Sequence, residues 1–225
     1  MDAEERDRIN EQMKARQYEL SAKLPISWKS KSLDLKHAAD ILFDHHHDAT
    51  QRIINRAIKE KKHRKKLDGS RTLEGSELKD HQDSQLIGVY FLLIGYAIEN
   101  LLKGNLLVQH PEYFKPDKKM TDIKTHKLTE LCIWCNISLM EEEIVLLNKL
   151  TRYVEWQGKY PIPLELDEMF PIKKDDGTWE TRGISFKGIK KLQQEIDDLY
   201  AKLWFELENQ SKQAYEEKKY LNEIE

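Results

Sequence analysis

Residues 84–110 form the most apolar stretch of a chain in which 34% of residues are charged. From Leu86 to Ile98 there is no charged side chain; Glu99 and Lys103 then interrupt the run. A membrane span needs about 20 predominantly apolar residues, and this run stops short of that. A helix that is apolar nearly all round is one buried among other helices. The stretch therefore reads as the central helix of a soluble bundle. Glu99 and Lys103 stand four apart and share a face, where they can pair. Buried charges are costly unless satisfied, so these two are the first place to look for function.

With 225 residues, the chain suffices for one domain with extensions or two small ones. Its 37 basic and 40 acidic residues leave a formal net charge of −3, which demands no nucleic-acid partner but leaves room for a local basic patch. The start, Met1-Asp2-Ala3-Glu4-Glu5-Arg6, lacks an apolar signal core. No other run is long enough to span a bilayer, so the expectation is a cytoplasmic protein without membrane association. Two cysteines in the whole chain fit a reducing compartment.

Along the chain, residues 1–30 read as a polar arm, with Ile9, Met13 and Leu20 as sparse apolar positions and a break at Leu24-Pro25. Residues 31–80 read as a helix capped by Ser32, basic from Lys59 to Lys66, followed by a mobile loop over 67–83. Those basic residues either contact phosphate or form a solvated helix end suited to the dipole. Residues 81–210 read as a helical bundle. In it Thr125 caps a short helix over 126–136, and Ser138 with Glu141 has capping-box spacing. Ile144, Leu147, Leu150 and Val154 then share one face as far as Gly158. Residues 164–184 are irregular, with a turn at 174–179 fit for a small hairpin. Ser185 opens the last long helix, and residues 211–225 are its polar end. The predicted fold class is all-α: an up-and-down bundle of four or five helices with an N-terminal helical extension. Whether residues 1–80 join the bundle is left open by the pattern.

Candidate chemistry is sparse. Cys132-Ile133-Trp134-Cys135 has the spacing of a redox or zinc pair, but no second pair exists, and such cysteines are mostly small core residues. His45, His46 and His47 are consecutive and cannot all face one ion on a helix. His37, Asp40, Asp44 and His47 do form a stripe at i, i+3, i+7 and i+10 that suits a divalent cation or, equally, a solvated face. Phosphate loops and nucleophile elbows are absent, and no cofactor is expected.

Ala97-x-Glu99-x-x-Leu102-Lys103, His126-x-Leu128-x-x-Leu131 and Leu150-x-x-Tyr153 leading to Gly158-Lys159-Tyr160-Pro161 occur in that order, before a long last helix. This set resembles the HEPN family (higher eukaryote and prokaryote nucleotide-binding domains), in the branch that includes the terminal domain of sacsin. Its pattern there reads Glu-x-x-Leu-Lys, His-x-Leu and Arg-Tyr-Pro. The resemblance spans about residues 84–208. It implies a bundle that commonly forms a homodimer, and a nucleotide- or RNA-binding role, often as an endoribonuclease of bacterial defence or toxin-type systems.

Carried over by position, the implied ligand-binding set is Glu99, Lys103, His126, Lys159 and Tyr160. Lys159 stands where the pattern has arginine, keeping charge but losing the bidentate fork. The family's catalytic Arg-x(4–6)-His cannot follow Arg152, because all eight histidines lie at or before 126. Arg56 and His63 have the spacing but precede the family-like core, so the catalytic candidates are Arg56, His63 and His126. Two readings stand. In one, the polar set lines a cleft for a nucleotide or RNA phosphate. In the other, it fixes helix register and ends, and the chain is a non-catalytic helical module that assembles with a protein partner.

Overall fold

The computed structural model describes residues 3–23, 25–62, 74–110, 113, 123–159, 172–173, 177–180 and 188–224. Among these residues it is all-α apart from two two-residue strands. The helices are α1 (Ala3–Lys23), α2 (Pro25–Lys62), α3 (Ser76–Ser84), α4 (Ile87–Gln109), α5 (Leu128–Trp134), α6 (Glu141–Arg152) and α7 (Ile189–Ile224). A π-helical turn, Tyr153–Gln157, extends α6. Strands β1 (Ile172–Lys173) and β2 (Trp179–Glu180) pair antiparallel, as the hairpin expectation has it.

Four helices, α2, α4, α6 and α7, run alternately up and down. Trp28 of α2 lies against Gly104, Ser32 donates to the Ala97 carbonyl, and Phe43 meets Tyr90; α2 and α4 are therefore antiparallel. On α6 and its π turn, Leu150 and Val154 face Gly95, and Tyr153 meets Phe91, again antiparallel. Lys36 of α2 pairs with Asp197 of α7, while Ser32 bonds Tyr200. Lys202 closes the ring by bonding Glu143 and the Ser138 carbonyl.

The apolar run is the core. Tyr90, Phe91, Ile94, Ile98, Leu102 and Leu106 of α4 are sealed by Phe43, Leu147, Leu150, Ile196, Leu199 and Leu203. By length and composition the 76–109 stretch is apolar enough to cross a membrane, but more than half of its most apolar window is buried inside the fold. The question of residues 1–80 is answered for α2, whose Ala39 and Phe43 belong to that core. Helix α1 extends the chain N-terminally and touches α2 and α4.

Several local expectations shift. Helix α2 starts at Pro25, a residue whose fixed φ suits a first helical position. Ser32 is thus no cap: it is buried mid-helix, its hydroxyl bonded to Ala97 and Tyr200. Part of the expected loop is helix α3, docked on α2 by Asp80, which accepts from Arg52 Nε at 2.7 Å and from Arg56. His46 Nδ1 adds a contact to the Ser84 carbonyl at 2.8 Å.

Helix α5 begins at Leu128, and the Thr125 hydroxyl accepts from the Lys127 amide just before it. Asn136 (φ 55°) ends α5: its amide bonds the Ile133 carbonyl and the Ile137 amide bonds that of Cys132, a Schellman closure. The expected capping box falls two residues later, with Glu143 accepting from the Met140 amide. Ser185, the expected opening of the last helix, lies outside the described residues.

Candidate functional site

The two charges in the apolar run are satisfied by each other and by a third group. Lys103 Nζ lies 2.6 Å from Glu99 Oε1. His126 Nδ1 lies 3.1 and 3.0 Å from the two Glu99 oxygens. Side-chain exposure is 8% for Glu99, 12% for Lys103 and 43% for His126. A carboxylate thus sits at the base of the cluster and an imidazole at its mouth.

The fold puts His126 there by pinning the segment before α5 on both sides. Ile123 and Leu128 are buried, and the Leu128 amide donates to Thr151 Oγ1 at 3.1 Å. An ionised carboxylate only accepts, so the Glu99 contact assigns the Nδ1 position a proton. In the neutral ring Nε2 then carries the lone pair, the arrangement in which an imidazole takes a proton from a bound group.

Lys159 reaches the same face of α4 from the π turn. Gly158 packs so closely on α4 that a Cβ would lie 2.6 Å from Leu92 Cβ. The backbone therefore crosses α4 one turn before Tyr96, and Lys159 Nζ sits 5.6 Å from the Tyr96 ring centroid. Tyr96, Glu99 and Lys103 are spaced i, i+3, i+7 and share a face. At the rim, Lys127 pairs with Glu130 at 3.0 Å, and the Glu130 hydrogen bond raises the Lys127 pKa.

Of the expected ligand set, Glu99, Lys103 and His126 are in direct contact, Lys159 is adjacent over Tyr96, and Tyr160 lies outside the described residues. Tyr96 was missed: nothing but its helical spacing from Glu99 marks it. Arg56 belongs to the α2–α3 junction, occupied by Asp80, and His63 lies outside the described residues. The stripe His37, Asp40, Asp44 and His47 does not converge. His37 and Asp44 are exposed, Asp40 takes both carboxylate oxygens to Lys36, and the His47 ring stacks on Phe43. Among the described residues no group of three or more His, Cys, Asp or Glu is placed to hold an ion.

Lys36, missed in the sequence, bridges Asp40 and Asp197. Burial alone would lower its pKa, but the hydrogen bonds and charges of Asp197 and Asp40 outweigh it and raise the value. Cys132 and Cys135 are free, buried thiols, pushed up to about 12 mainly by burial. They are core residues.

Against protein-family models, curated proteins and solved structures, nothing matches this chain.

Proposed function

We propose that the chain binds a nucleotide or an RNA phosphate at the Glu99–Lys103–His126 cluster, with Lys159 as the second cation. The observation that carries this reading is the buried Glu99 carboxylate holding an ammonium and a half-exposed imidazole within 3.1 Å. A helix-register device needs only the lysine. The histidine comes from a separate segment and presents its other face outward, where a phosphate oxygen finds charge and a proton donor or acceptor. The resemblance to HEPN domains supports the same ligand class, with a homodimer of a cytoplasmic defence- or toxin-type system as its setting.

Thermal melting with nucleotides and short RNA tests the reading. A ligand at 100 times its dissociation constant adds about 2.7 kcal/mol, a clear rise in Tm that His126→Ala and Lys103→Ala reduce. No rise with any nucleotide or RNA would sink it. Incubating RNA with wild type and His126→Ala separates binding from ribonuclease action, since cleavage by His126 disappears in the variant.

A second reading, a non-catalytic module for a protein partner, draws on exposed Ile133, Met140 and Ile144. The Thr129–Asn148 bond sets α5 beside α6. That reading predicts a stable fold indifferent to nucleotide.

A further inference from the structure

We propose that Tyr96 and Lys159 form a base-stacking subsite beside the phosphate cluster, so that the ligand carries an unpaired base rather than phosphate alone. This deepens the phosphate reading above and rests on it.

The geometry has three parts. Tyr96 is partly exposed on α4, and the flexible Lys159 ammonium lies over its ring, 5.6 Å from the centroid. An exposed cation–π contact of this kind is a weak hold, and Lys159 is itself exposed. Next, the backbone beneath Tyr96 is fixed: Asn100 Nδ2 donates to the Tyr96 carbonyl at 2.7 Å, and the Gly158 approach to Leu92 fixes where Lys159 leaves the π turn. Lastly, Glu99 and Lys103 lie three and seven residues on, about 4.5 and 10.5 Å along the helix axis. That is the span between the base of a nucleotide and its phosphates.

These parts describe one exchange. The base takes the ammonium's place on the Tyr96 face, and Lys159 turns toward the phosphate held by Lys103 and His126. A base of any identity has a π-face, so stacking here is sequence-tolerant. A base paired in a duplex has its faces covered, so the subsite favours single strands and free nucleotides.

The test compares ATP with inorganic tripolyphosphate, which carries the phosphates and no base, by calorimetric titration of the full chain. Wild type is expected to bind ATP about tenfold or more tighter than tripolyphosphate, the size of one base–aromatic stack. Tyr96→Leu keeps apolar bulk and should abolish that preference while tripolyphosphate still binds; Tyr96→Phe should retain it. A fluorescent purine nucleotide should be quenched on wild type and Tyr96→Phe but not on Tyr96→Leu. If tripolyphosphate binds as well as ATP, or Tyr96→Leu keeps the preference, the stacking subsite is wrong and the phosphate site stands. If neither compound binds at all, both proposals fall together.

Discussion

Glu99 and Cys132 show how much a single residue's surroundings decide. Both sit in apolar helices, and both are buried. The carboxylate meets two donors, whereas for the thiols of Cys132 and Cys135 burial is the largest influence and pushes them up to about 12. The thiolate is the species that reacts or binds zinc. A thiol-specific chromogenic reagent at pH 8 should therefore leave the native protein unlabelled and titrate both cysteines only after unfolding. Rapid labelling of folded protein would contradict the burial. The Cys-x-x-Cys spacing was legible in the sequence, but its meaning lay in the Leu102 carbonyl that Cys135 Sγ approaches at 3.5 Å and in the absence of any ligand from another segment among the described residues.

At the scale of the element, α4 is defined by where it lacks side chains as well as where it has them. Gly104 faces Trp28 so closely that an added Cβ would overlap the Trp28 Cβ, which cannot move without shifting the α2 backbone. Gly95 faces Val154, with a Cβ 2.5 Å from its Cγ2. Gly88, in the first turn, meets nothing within 4 Å. The same substitution should thus have opposite signs along one helix. Alanine at a free helical position gains about 0.5–1 kcal/mol over glycine, so Gly88→Ala should raise the denaturation midpoint. Overpacking costs about 1–3 kcal/mol, which outweighs that gain, so Gly104→Ala should lower it. Urea unfolding of the two variants beside wild type checks both signs. The sequence shows all three glycines alike; only the neighbouring helices separate them. The π turn is similar. A helix opening at the Ser138 capping box and ending by Gly158 was legible from Ile144, Leu147, Leu150 and Val154, but the π turn that buries Tyr153, Val154 and Trp156 together was not.

At the scale of the whole molecule, ionic contacts tie helix to helix, Lys36 joining α2 to α7 and Asp80 joining α3 to α2. Asp80 fastens α3 to α2. The hydrogen bond from Arg52 is the largest cause holding its carboxyl below the ordinary range, with burial opposing and the charges of Arg52 and Arg56 assisting. A carboxyl whose folded pKa is depressed contributes stability that is present above its unfolded value, about 3.9. That contribution is lost as pH falls through the folded value. Asp80→Asn should therefore melt below wild type at pH 7, and the gap should close as pH drops below about 4. A gap of equal size at pH 7 and pH 2.5 would mean that Asp80 acts by shape and not by charge.

The amino-acid sequence by itself determined the all-α class, the buried central helix and the face on which Glu99 and Lys103 meet. Helical period and hydrophobicity are properties of neighbouring residues and need no distant partner to be read. It also placed the small hairpin of β1 and β2 and the chain breaks at Pro25 and near His110. What only the tertiary structure decided is which groups from remote segments share a space. His126, which the family resemblance grouped with Glu99, lies 27 residues from it, and the fold supplies the contact itself. Lys159 lies above Tyr96, α2 enters the core through Phe43, and Gln210 bonds Asn105 across 105 residues. Such contacts depend on packing, which the spacing of residues along one element does not encode. The candidate site sits where one local signal, a charge pair in an apolar helix, meets a histidine that the family resemblance named and whose contact with Glu99 only the fold shows.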